Sequence, residues 1–366
     1  MLTANNKPNG IAESEGLRPW ESFRASQTQR VAILLEDGIE GSHGKTGLAF
    51  LRYSQTDIVA VVDRVCAGKS LTALTGIDRD VPIVSNVTTA LVYQPDILLI
   101  GIAPSGGQLP PNLQQEVAVA IDAGVSIVNG LHTLLNPQYP NLQPKQWIWD
   151  IRQEPPGLSI GKAKARSLSA RRILTVGTDM AIGKMSTSLE IHRAAIERGI
   201  KAEFIATGQA GIAIAGRGIA LDAVRVDFAA GAVEKTVLDL GKDSDLIIIE
   251  GQGSLLHPGS TATLPLIRGS QPTGLILVHR AGAKHIRDLP DIKIPPLLEV
   301  IRLYETITSA GGTFGKVEVK AIALNTYGMD TATAEETIED TSQLTGLPCS
   351  DVVRFGGNTL LSAINS

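Results

Sequence analysis

The stretch that most constrains this chain lies just short of its midpoint, in residues 171–190 (RRILTVGTDMAIGKMSTSLE). The apolar run 173–176 predicts a buried parallel strand. A glycine-bounded loop follows, and Lys184 then opens a segment whose Leu189, Ile191, Ala194, Ala195 and Ile196 recur at helical spacing. Strand, glycine-rich loop, Gly-Lys and helix are the parts of a phosphate-binding loop. Glycines let backbone N–H groups curl around an anion, the helix N-terminus presents further free N–H groups, and the lysine reaches terminal phosphates. The expected ligand set is Gly177, Thr178, Asp179, Gly183, Lys184, Met185, Ser186 and Thr187. Two departures stand out: five residues separate the glycines where four are usual, and Met185 occupies the place of the hydroxyl that holds Mg²⁺. The competing reading is an ordinary βα turn with a chance Gly-Lys, which the flanking periodicities argue against.

The longer loop has a precedent. Gly-Thr-Asp-x-x-(Val/Ile)-Gly-Lys resembles the phosphate loop of dethiobiotin synthetase and its relatives. Composition agrees with a P-loop fold: 43% hydrophobic but only 4% aromatic, with 37 glycines in 366 residues, describes α/β units with Val/Ile/Leu strands and tight turns. A net charge of −4 without a basic block gives no reason to expect nucleic acid or an anionic membrane as partner. Cys66 and Cys349 lie in different halves, which argues against a disulfide framework or a cysteine zinc site. Without a signal-like N-terminus or a run of ~20 apolar residues, the expected location is cytoplasmic.

The length suits two domains. Residues 1–28 are polar and unpatterned and are expected to be a flexible tail. Residues 29–152 alternate strands (31–35, 57–63, 81–85, 96–103, 125–129, 147–151) with helices, predicting a Rossmann-like domain. Asp63 falls where a ribose-binding acid would sit, but the glycines are spaced GxxGxxG, so the dinucleotide fingerprint is missing and NAD is not expected. Residues 153–170, with Lys162, Lys164 and Arg166, read as a basic interdomain linker. Residues 171–366 form the P-loop domain, with further strands at 202–206, 224–228, 245–250, 275–278 and 319–324. The segment 207–218 reads as a glycine-rich connection, and 229–240 as a helix.

The strand 245–250 ends on Glu250 followed by Gly251. In P-loop enzymes an acid at this place sits near the terminal phosphate. Asn325 ends the last strand, where a side-chain amide can meet a base edge. His257 and His285 are further candidates. Loops that follow parallel strands share one sheet edge, so 101–107 and 250–254 are expected to meet at a site between the domains.

Longer strings extend the resemblance to both halves: GIAPSGGQLP (101–110), NGLHTLL (129–135), GTDMAIGKM (177–185), ATGQAGIAIAGRG (206–218), DFAAGAVE (227–234) and IEGQGSLLHP (249–258). On these the chain is similar to the D-glutamate N-acetyltransferase-like family, long catalogued as a domain of unknown function. The resemblance implies an N-terminal Rossmann-like domain joined to a C-terminal P-loop domain, and transfer of an acetyl group from acetyl-CoA to the amino group of D-glutamate. The P-loop, with Gly251 and Asn325, would then hold the CoA pyrophosphate and nucleotide, and Met185 would suit a loop that needs no Mg²⁺. Amine acetylation needs a base and oxyanion donors. Glu250, His257 and Asp227 are the base candidates, and backbone N–H groups of 208–211 or 251–254 the donors. Arg217 and Arg225 are candidates for the acceptor carboxylates. No residue is assigned to a metal, and self-association into a homo-oligomer is left open. Two alternatives remain: an ATP- and Mg²⁺-dependent kinase or ligase acting on a small carboxylate, and a nucleotide-binding regulatory protein without chemistry.

Overall fold

The structure, a computed structural model, describes residues 29–365 except Ser42 and Ser105; the tail expected over 1–28 lies outside the described residues. Two parallel sheets organise the chain. The first comprises β1 (Arg30–Leu34), β2 (Asp57–Val62), β3 (Ile83–Val84), β4 (Ile97–Ile100), β5 (Ser126–Asn129) and β6 (Ile148–Asp150), in the order β3-β2-β1-β4-β5-β6. This is the doubly wound Rossmann order, which places ligands at the carboxyl ends of the strands. The second comprises β7 (Arg171–Gly177), β8 (Ala202–Ile205), β9 (Leu246–Ile249), β10 (Gly274–Arg280), β13 (Val319–Asn325) and β14 (Cys349–Ser350), in the order β14-β13-β10-β7-β9-β8. Between β10 and β13 the chain inserts an antiparallel hairpin, β11 (His285–Ile286) and β12 (Leu289–Lys293).

The strands are apolar on both faces because helices cover both. On β7, Leu174 and Val176 join the core on one side, and Ile173 joins the core on the other. Register aligns the functional ends: Val278 pairs with Gly177, Leu174 with Ile249, and Arg280 with Asn325. The P-loop, the acid after β9 and the Asn that ends β13 therefore emerge at one edge.

One core spans the two halves. Val31, Ile33, Phe50 and Leu51 of the first pack in the same cluster as Leu189, Phe204, Ile212 and Ala213 of the second. The helix Gln209–Ala215 makes this contact, within a segment read from sequence as a connection. Glycines lower helix propensity, but here Gly216 closes the helix with a left-handed C-cap (φ 67°), and burial of Ile212 and Ala213 holds it. The strand expected over 224–228 is likewise corrected. Helix Val226–Gly241 begins there, with Asp227 in its first turn, where a negative charge meets the helix dipole.

The segment expected as a linker lies against that helix. Lys162 and Lys164 donate their backbone N–H groups to the Glu234 carboxylate, and Ala165 is fully buried. No helix among the described residues is long and apolar enough to cross a membrane.

Candidate active site between the domains

The P-loop is shaped by two left-handed residues, Ala181 (φ 53°) and Gly183 (φ 117°), the latter just before helix Lys184–Glu197. Successive turns of this kind point backbone N–H groups into one concavity. Helix geometry leaves the N–H groups of Lys184, Met185 and Ser186 without an intrahelical acceptor. The loop is braced from outside. The Asn325 amide donates to the Ile182 carbonyl (2.9 Å), and the hydroxyls of Tyr304 and Ser254 donate to the Gly177 carbonyl (2.7 and 2.8 Å). Thr178 Oγ1 lies 2.9 Å from His279 Nδ1. Asp179 is buried and accepts from the Met180 N–H at 2.6 Å and from the Arg287 N–H of the hairpin at 2.7 Å. Asp179 thus holds loop and hairpin together through its carboxylate.

Lys184 is buried, and its ammonium donates to the Asp179 carbonyl oxygen at 2.7 Å across its own loop. Burial pushes its pKa down to about 8, against the pull of Asp179 and Glu250. Glu250 is buried as well, and burial pushes it up to about 7. Three donors hold its charged form: the N–H groups of Thr207 (2.9 Å) and Gly208 (3.3 Å), and the Gln252 amide (3.0 Å). Two glycines make room. A Cβ at Gly251 would collide with the Thr175 carbonyl and the Lys184 stem, and one at Gly211 with the Glu250 carboxylate. Lys184 and Glu250 are thus two buried titratable groups on one cleft, held by separate partners and shifted in opposite directions by burial.

Both line a cavity of about 710 Å³ between the two halves. Its other wall carries Lys45, Thr46, Arg52 and Ala103 of the Rossmann-like domain, and Arg287 comes from the hairpin. Ala103 on one side and Glu250, Gly251 and Gln252 on the other bring the two glycine-rich segments to one cleft, as their strand positions predicted. A second cavity of about 350 Å³ adjoins it, with Asn325, Asp351 and Arg354 in its wall. The two share Arg52, Gly183, Ser186 and Tyr327 and so form one continuous groove along the P-loop.

The structure gathers Gly183, Lys184, Met185, Ser186 and Gly251 at the cleft, and Thr187 and Asn325 at the adjoining cavity. The Asn325 amide nitrogen braces the loop through the Ile182 carbonyl, and its Oδ1 accepts from the Tyr327 N–H (3.0 Å), while the residue lines the adjoining cavity. The hydroxyls of Thr187 and Ser188 turn back onto the Gly183 and Lys184 carbonyls, each 3.0 Å away. Ser186 is the loop hydroxyl that faces both cavities.

Two base candidates stay outside. Asp227 is exposed at the start of its helix, and His257 accepts from the Gly259 N–H (3.0 Å) in a local turn; neither lines the cleft. Arg217 pairs with Glu203 and Arg225 with Glu154. Asp63 is also committed: its carboxylate accepts from the N–H groups of Ile39, Val65 and Cys66, at 3.1–3.2 Å. Sequence reasoning missed Lys45, Arg52 and Arg287, which share no motif with the P-loop and reach it only through packing. The Gly-Lys-Thr at 44–46 was the one available signal.

Comparison with known proteins follows the same division. A family model described as "Domain of unknown function (DUF1611_C) P-loop domain" matches residues 159–361, and one described as "Domain of unknown function (DUF1611_N) Rossmann-like domain" matches 64–154. A curated protein of Pseudoalteromonas sp named D-glutamate N-acetyltransferase is 37% identical over 269 residues, 72% of this chain and 80% of that protein. A protein of the same name from Tritonibacter scottomollicae is 34% identical over 273 residues, 73% of this chain and 80% of its own. The crystal structure of a DUF1611 family protein from Anabaena variabilis is 60% identical, with a TM-score of 0.89, covering 92% of this chain and 99% of that one.

Proposed function

The chain belongs to the DUF1611 family and is an N-acetyltransferase, and from that premise we propose that it acetylates the amino group of D-glutamate or a similar acidic amino acid, with acetyl-CoA as donor. The observation that carries this reading is the meeting of Lys184 and Glu250 in one cleft that also collects Lys45, Arg52 and Arg287.

The residues present fit a CoA pyrophosphate. The left-handed turns at Ala181 and Gly183, the free N–H groups of Lys184 to Ser186 and the Lys184 ammonium form a pre-shaped anion cradle. The adjoining cavity, with Tyr327 exposed at its mouth, suits the nucleoside end. When bound, acetyl-CoA would supply the acetyl group as an activated thioester.

The chain's own groups do the remaining work. An α-ammonium must lose its proton before nitrogen can attack a carbonyl. Glu250, held to about 7, accepts that proton near neutral pH. Its Thr207, Gly208 and Gln252 donors keep the carboxylate oriented between turnovers.

For the developing oxyanion, the N–H groups of Gln209 and Ala210 are suited. They open helix Gln209–Ala215 and line the cleft. The Gly208 N–H serves Glu250 and the Gly251 N–H serves Thr175, so neither is free for this role. Lys45, Arg52 and Arg287 are the cations available to a dicarboxylate acceptor.

The test is a thiol assay on purified protein with acetyl-CoA and D-glutamate in the presence of EDTA. Acceptor-dependent thiol release supports the reading. Acceptor-dependent ADP release from ATP, abolished by EDTA and without thiol, would replace it with a kinase or ligase.

A further inference from the structure

The two cavities of the groove meet at Arg52, Gly183, Ser186 and Tyr327, which line both. Arg52 is the cation of this junction. It stands in the last turn of helix Lys45–Tyr53, so the Rossmann-like half presents it across the groove to the start of the P-loop helix. Among the described residues its guanidinium makes no hydrogen bond and no ion pair. Glu190, an acid whose charge it feels, is taken by Arg193 at 2.6 Å and lines neither cavity.

The other charged groups of the adjoining cavity are committed. Arg354 donates to the Thr326 hydroxyl (2.9 Å) and to the Thr326 and Met329 carbonyls. Asp351 accepts from the Thr326 N–H (2.9 Å) and hydroxyl (2.6 Å). Lys45 and Arg287 line the cleft but not the adjoining cavity.

Two hydroxyls join Arg52. That of Tyr53, on the cleft wall, is buried without a hydrogen-bond partner, and Ser186 is among the groups nearest to it. The Ser186 side chain faces both cavities and, unlike Thr187 and Ser188, is not turned back onto a helix carbonyl. All three groups can donate hydrogen bonds. An unspent guanidinium also presents a fork that matches two phosphate oxygens at once.

A nucleotide with its pyrophosphate on the P-loop and its base in the adjoining cavity must place its ribose at the junction. In CoA that ribose carries a 3′-phosphate; in ATP it carries none. Resting on the reading of acetyl-CoA as donor, we propose that Arg52, with the Tyr53 and Ser186 hydroxyls, is a subsite for this phosphomonoester and makes the groove selective for CoA over nucleotides that lack it. Lys45 and Arg287 then remain for the acceptor carboxylates.

The test is calorimetric titration of the full-length protein with CoA and with dephospho-CoA, which lacks only the 3′-phosphate. A charge-assisted contact of this kind should make CoA bind at least about tenfold tighter. Arg52→Ala and Arg52→Gln should each bring the two affinities to within about threefold by weakening CoA alone. Arg52→Lys should keep part of the preference. Lys184→Ala should weaken both ligands alike and leave their ratio in place.

Equal affinity of the parent protein for CoA and dephospho-CoA overturns the subsite while leaving acetyl-CoA as donor. The subsite is equally overturned if the preference survives both Arg52 variants, or if they weaken the two ligands alike and so report the pyrophosphate. Binding of neither ligand, with ATP and Mg²⁺ bound instead, removes the donor reading and the subsite with it. Circular dichroism of each variant separates loss of binding from loss of fold.

Discussion

Two loops of this molecule share a plan and differ in what fills them. After β1, the chain runs through Gly38, Gly41 and Gly44 to Lys45-Thr46 and a helix. After β7, it runs through Gly177 to Gly183, Lys184 and a helix. In the first, the glycines lie against the chain itself. A Cβ at Gly38 would press on the Leu35 carbonyl and on Gly44, and one at Gly44 on the Gly38 carbonyl. In the second, Ala181 and Gly183 take left-handed backbone and open a concavity that Lys184 spans.

The acids differ in the same way. Asp63 is consumed by three N–H groups of its own half, while Asp179 binds the loop to the hairpin that delivers Arg287. A glycine-rich turn with a lysine becomes an anion site only if its backbone N–H groups stay unspent. In this protein the first loop supplies a wall of the cleft and the second its centre.

The sharpest way to break this contrast is at the acids. Glu250→Gln should lower kcat by about 10²–10⁴-fold, the range of general acid–base catalysis, while leaving acetyl-CoA affinity near that of the parent. Asp63→Asn should act on stability and leave kcat unchanged. Equal losses of kcat in the two would remove the distinction between a structural and a catalytic half.

The next effect concerns the packing that brings the halves together. Ile212 is 4% exposed in the shared core. Ile212→Ala should cost about 2–5 kcal/mol in denaturant unfolding, and the acceptor KM should rise because the two walls of the cleft are then less firmly apposed. A loss below 1 kcal/mol would mean that the core does not join the halves.

Lys184→Ala removes a charge-assisted contact worth about 1.5–3 kcal/mol, so acetyl-CoA should bind roughly 10–150-fold more weakly by calorimetry. Lys45→Ala, on the wall, should leave that affinity within about threefold and raise the KM of the dicarboxylate acceptor instead. If the two variants exchange these effects, the loops have been assigned the wrong way round.

The smallest effect is the shape of the pH profile. As the proposed base, Glu250, raised to about 7, would have to lose its proton to act, so kcat/KM should climb as pH rises through that value. Lys184, lowered to about 8, loses its charge above it, so the profile should fall again on the alkaline side. Glu250→Gln should abolish the acid limb alone.

Stability should move with the opposite sign on the acid side. The native protein holds the Glu250 proton to a higher pH than the unfolded chain does. The contribution of this group is therefore greatest below the ordinary carboxylate range, and it is lost as pH rises toward 7. Lys184 is uncharged in the native protein at pH values where the unfolded chain still protonates it. Its contribution therefore grows from about 8 upward, toward the ordinary lysine value.

The sequence by itself determined the elements whose signals are local. The apolar run and helical period around Gly177–Lys184, the strand ending at Glu250 and the alternation that makes two parallel sheets depend on neighbours a few residues apart. Backbone sterics and hydrophobic periodicity act at that range. Family resemblance carried the activity from the same strings.

Tertiary structure decided the rest. Helix Gln209–Ala215 exists because Ile212 and Ala213 are buried against the other half, which overrides the low propensity of its glycines. Asp227 and His257 carry the right chemistry but are held at other positions, one at an exposed helix start and the other in a local turn. Lys45, Arg52 and Arg287 line the same cleft as Lys184 only because two sheets and a hairpin converge. Such convergence depends on contacts between residues a hundred or more positions apart, as between Asp179 and Arg287. Periodicity and spacing along a chain carry no record of distances of that kind.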